Sequence, residues 1–137
     1  DSLVNNGIVF MPAGVPIGGV AVLVSGAGST VTNSKTGSIS GLGGISAQAA
    51  GVKVVNDGSI VGFAGIGIDF GQGKGASLDN SGNIQGEAVA VRGTLLDGFS
   101  LTNSGTIKSD GEGIVLLATG RVDVGRVEAV GLGRRPR

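Results

Sequence analysis

The sequence predicts an all-β chain wound as a right-handed parallel β-helix, a β-solenoid of about 5–6 rungs of about 23–24 residues with three short strands per rung. Three observations point there. A short phrase recurs along the chain: "VVNDGSI" at 54–60, "LDNSGNI" at 78–84 and "LTNSGTI" at 101–107. Between and within the copies, apolar residues alternate with small or polar ones, which is the period of a strand and not of a helix. Gly makes up 29 of the 137 residues, which penalises helix at ~1 kcal/mol each but suits tight corners.

Anchored on its Asn, the phrase falls at Asn5, Asn33, Asn56, Asn80 and Asn103, spaced by 28, 23, 24 and 23 residues. The second copy carries two extra residues, Lys35 and Thr36, before its Gly37. A sixth copy, "RVDVGRVEA" from Arg121 to Ala129, keeps the alternation but has no Asn. The first strand of each unit ends in the phrase, an Asn-Gly turn follows, and the second strand runs through the "G-x-I". A third apolar run completes the unit: "GVAVLV" from Gly19, "GISAQA" from Gly44, "GIGIDF" from Gly65, "AVAVRG" from Ala88 and "GIVLLA" from Gly113. One such unit cannot bury its apolar face alone, but stacked copies can. Parallel crossovers are nearly always right-handed, and so is the expected coil. The domain spans 1–130, and "GLGRRPR" at 131–137 reads as a basic, disordered tail.

Stacking assigns roles. Val31, Val54 or Val55, Leu78 and Leu101 form one inward column. Val9, Ile39, Ile60, Ile84 and Ile107 form a second, and Val20, Ile45, Ile66, Val89 and Ile114 a third. The five Asn residues are expected at a corner in left-handed backbone, with their carboxamides bonded from rung to rung as a structural ladder.

Composition narrows the functional classes. Apolar residues are 40% and charged residues 15%, enough to build a core and too few charges for a solvated coil. With no Cys there is no disulfide framework or thiolate site, and with no His no near-neutral acid or base. Formal net charge is zero, so no global field recruits nucleic acid. The longest apolar run, Val20 to Val24, is far short of the ~20 residues of a membrane helix, so no membrane insertion of this segment is expected. A chain opening on Asp1, without a leader, reads as a processed or excerpted segment.

The phrase resembles the β-helical passenger segments of bacterial autotransporters and related large surface adhesins. The matching residues are Asn33, the stretch Asn56-Asp57-Gly58-Ser59-Ile60, its counterpart Asn80-Ser81-Gly82-Asn83-Ile84, and Asn103-Ser104-Gly105-Thr106-Ile107, within a likeness over residues 1–124. The resemblance implies export, an extracellular or cell-surface location, and a structural or adhesive function with a host or cell-surface ligand. The translocating barrel of such proteins is not in this chain, which has four Phe and no Tyr or Trp for aromatic girdles.

Two other classes use the same fold. A self-stacking filament subunit would associate end to end. A polysaccharide lyase or hydrolase would need paired carboxylates in one groove, with a cation or a basic residue. The candidates are Asp69, Glu87, Asp97, Asp110 and Glu112, with Arg92 as the basic partner; Glu87 and Glu112 read as rung neighbours. "GIGIDF" at 65–70 echoes a Ca²⁺-binding nonapeptide only once, and "GQGKG" at 71–75 lacks the Ser/Thr and helix of a phosphate loop. These charges read as solvated, and no catalytic set, cofactor or metal is expected. Phe63, Phe70 and Phe99 fall near corners, as core plugs or as an apolar patch. At the ends, "LVNNGIV" is in phrase by Leu3 with no cap before it, while Arg121, Asp123, Arg126 and Glu128 make a weak polar cap on the last copy.

Overall fold

Small, β-branched and alternating residues give short strands, and the repeat fixes which strands meet. In a computed structural model, residues 1–11, 19–71 and 73–129 are described, with side chains throughout except at 94–97 and 116–129. None of these residues is helical, and thirteen strands pair in parallel into one coiled sheet. The basic tail at 131–137 lies outside the described residues.

Three faces repeat. The first holds β1 (Ser2–Asn5), β4 (Thr30–Asn33), β7 (Lys53–Asn56) and β10 (Ser77–Asn80). The second holds β2 (Ile8–Phe10), β5 (Ser38–Gly41), β8 (Ser59–Gly62) and β11 (Asn83–Gly86). The third holds β3 (Val20–Val24), β6 (Gly43–Ala47) and β9 (Ile66–Asp69). Two long strands, β12 (Val89–Ser109) and β13 (Glu112–Ala129), continue through successive faces, with register shifts between Gly93 and Leu96, Asp97 and Phe99, and Asn103 and Thr106.

The fold class is therefore a parallel β-solenoid, of about four turns rather than five to six rungs. Counting copies of the phrase overstates the coil, because a turn is a step from one rung to the next. Four such steps pair on all three faces. The sixth copy, Arg121–Ala129, pairs with β12 along the first and second faces.

On the first face the register stacks Leu3, Val31, Val54, Leu78 and Leu101, so Val54 and not Val55 points inward. On the second it stacks Val9, Ile39, Ile60, Ile84 and Ile107. Ile39, Ile60, Ile84 and Ile107 are sealed from solvent, each worth about 1.5–3 kcal/mol of burial.

The third column differs from expectation. It stacks Val22, Ile45, Ile68, Val91 and Ile114. Val20, Ile66 and Val89 stand two residues earlier; Val20 pairs with Gly43, Ile66 with Val89, and Val89 with Glu112. They lie at the mouth of the corner and are only half-buried. Alternation cannot separate positions two apart on one face. The corner length decides, and it varies.

Phe70 and Phe99 close the core, their rings meeting edge to face at 5.1 Å. Each stands beside a small buried residue of the neighbouring rung, Phe70 near Gly93 and Phe99 near Ala76, so bulk and space alternate.

Two glycine positions explain the corners. At the phrase corner the rungs approach so closely that a Cβ on Gly82 would collide with the carbonyl oxygen of Gly58, and one on Gly105 with that of Gly82. At the corner between the third and first faces, Gly28, Gly51, Gly75 and Gly98 stack with φ of 69°, 67°, 68° and 72°. The left-handed backbone expected of Asn is thus carried by these glycines. Each Asn instead lies in extended, register-paired backbone, at the strand end for Asn5, Asn33, Asn56 and Asn80 and inside β12 for Asn103.

Candidate functional site

The repeated Asn builds the most connected polar feature of the fold. Asn5, Asn33, Asn56, Asn80 and Asn103 stack in register, and all are buried. Each Nδ2 donates to the Oδ1 of the next Asn: 2.9 Å from Asn5 to Asn33, 2.8 Å from Asn33 to Asn56, 2.7 Å from Asn56 to Asn80 and 2.7 Å from Asn80 to Asn103. The same amides donate across the corner to carbonyls of their own and the following rung. Asn56 Nδ2 lies 3.2 Å from the Gly58 oxygen and 3.1 Å from the Asn83 oxygen. The carboxamide fits because it carries two donor protons and a two-lone-pair acceptor on a short stem. The corner carbonyls already accept from the backbone of the next rung, as the Gly58 oxygen does from the Asn83 N–H at 2.8 Å, and one side chain per rung adds a second donor to them while tying rungs together.

The ladder has a direction. Every Asn-to-Asn bond points from lower to higher residue number. At the leading end, Asn5 Oδ1 accepts instead from the backbone N–H of Gly7, at 3.2 Å. At the far end the register partner of Asn103 is Val124.

The outward columns change along the axis. In register, Val4 is followed by Thr32, Val55, Asp79 and Thr102. Ile8 is followed by Ser38, Ser59, Asn83 and Thr106. Phe10 leads into Ser40, Val61, Gln85 and Lys108, and Leu23 into Ser46, Asp69 and Arg92. The first rung thus places large apolar groups where later rungs place mostly polar ones. Val4, Ile8, Phe10 and Leu23 are 61%, 81%, 59% and 70% exposed. Reading the sequence by its inward residues missed this set; aligning the outward positions of the copies would have found it.

Among the described residues the acidic candidates form no cluster of three. Arg92 meets Asp69 at 2.8 Å as stacked outward neighbours, and Asp69 also accepts from the N–H of Gly71. Glu112 pairs in register with Val89, so it is not the rung neighbour of Glu87; both are exposed, as is Asp110. The Asp97 side chain and those of Arg121, Asp123, Arg126 and Glu128 fall outside the described side chains. Among the described residues no group of three His, Cys, Asp or Glu could hold a metal. Asp57 accepts from the Ser81 hydroxyl on the outside of the phrase corner.

A shallow groove of about 520 Å³ crosses the third face beside Asp69, lined by Leu23, Leu42, Ile45, Gln48 and Ile66 among others. Gln48 donates to Ser46 there at 3.0 Å. Phe63 stacks on Phe10 at 6.4 Å on the surface, while Phe70 and Phe99 plug the core. No helix among the described residues is long and apolar enough to cross a membrane. Comparison with known proteins finds no matching family model, no matching curated protein and no matching solved structure.

Proposed function

We propose that this chain is a structural and adhesive β-solenoid segment of an exported bacterial surface protein of the autotransporter type. The observation that carries the reading is the division of labour within each rung. Inward residues and the Asn ladder repeat almost unchanged, whereas outward residues differ from rung to rung. Cohesion is internal, so the outer columns are free to vary with a ligand. That is what a rigid spacer presenting a contact surface requires. The resemblance of the repeated phrase to passenger segments supplies the bacterial surface setting.

The test is adhesion of the purified chain, coated on beads, to mammalian epithelial cells. Binding should persist in Glu87→Gln and Glu112→Gln and vanish in Ile84→Asp, which breaks the core. Release of reducing or unsaturated sugar from acidic polysaccharides, abolished in the two Gln variants, would instead make this an enzyme. The filament-subunit alternative draws on the apolar outside of the first rung and requires sedimentation to depend on concentration.

A further inference from the structure

We draw no further inference here: the strongest candidate, the apolar groove of about 520 Å³ that crosses the third face between Leu42, Ile45 and Ile66 beside Asp69, carries none, because nothing in the structure shows what covers it.

Discussion

Replacing Asn56 by Ala cuts the ladder at its centre. The residue is sealed from solvent, so water cannot substitute for what is lost. Its Nδ2 reaches Asn80 Oδ1 at 2.7 Å, the Asn83 oxygen at 3.1 Å and the Gly58 oxygen at 3.2 Å. Its Oδ1 receives Asn33 Nδ2 at 2.8 Å. Two protons and one accepted bond make about three hydrogen bonds at once, and each is worth about 1 kcal/mol net. The oxygen of Asn80 is also left buried without its donor, so the expected cost is about 3–4 kcal/mol. Asn5→Ala should cost about 1–2 kcal/mol, because Asn5 sits at an edge where water reaches the freed groups. Urea unfolding followed by circular dichroism measures both, read as a shift of midpoint at constant slope. A cost for Asn56→Ala no greater than that of Lys53→Ala, an exposed neighbour on the same strand, would refute the ladder as a source of cohesion.

Asn56→Asp keeps the shape but places a carboxyl among acceptors; the fold then favours its protonated form and raises its pKa above the unfolded ~3.9. That variant should be most stable below about pH 3.9 and lose stability as pH rises through the folded pKa, which melts at acidic and neutral pH would register against the unaltered chain. Ile84→Asp should cost several kcal/mol by leaving a buried charge unpaired, while the outward Gln85→Asp should be nearly neutral in the same assay. Ile68→Ala should cost about 2–5 kcal/mol and half-buried Ile66→Ala clearly less; the reverse order would return the third column to the frame that alternation suggested. Gly82→Ala should destabilise more than Gly75→Ala, although only Gly75 has positive φ, because a Cβ at 82 strikes backbone and one at 75 meets open space; thermal melts of the pair decide it.

Two of the three faces were legible because the phrase ties them together. Asn56 ends one strand and Ile60 lies four residues on, a separation repeated at Asn80 to Ile84 and Asn103 to Ile107. A corner of fixed length fixes register on both sides of it. The next corner is not fixed. Six residues separate Ile39 from Ile45, eight separate Ile60 from Ile68, and seven separate Ile84 from Val91. A strand reading cannot tell Ile66 from Ile68 when both have the right parity, so only the hydrogen bonds of the neighbouring rung decide. The ladder itself was readable from the recurrence of Asn, but the backbone that was to hold it was not. Asn needs no left-handed turn here, since extended backbone already aims its carboxamide along the stack. The acidic pairing failed for a different reason: this corner is the same length in both rungs, but Glu87 stands four residues before Val91 and Glu112 only two before Ile114, so the two fall out of register.

The pairing of each strand with the segment about one repeat away has a kinetic meaning. Most strand partners lie 23 or 24 residues apart, although the first step spans 28 on the first face and 30 on the second, and later ones fall to 20 or 21. Closing a loop of that size costs only a modest entropy, and because the cost grows slowly with length it is nearly the same at every step. An all-β chain usually folds slowly because its partners are scattered along the sequence. Here no segment waits for a distant one. Once two rungs have formed, the next stretch finds a complete template, and assembly advances as a front. A chain delivered gradually, from a ribosome or through a narrow channel, could thus consolidate at the pace of its emergence, with only about one rung's worth of strand unpaired at any moment.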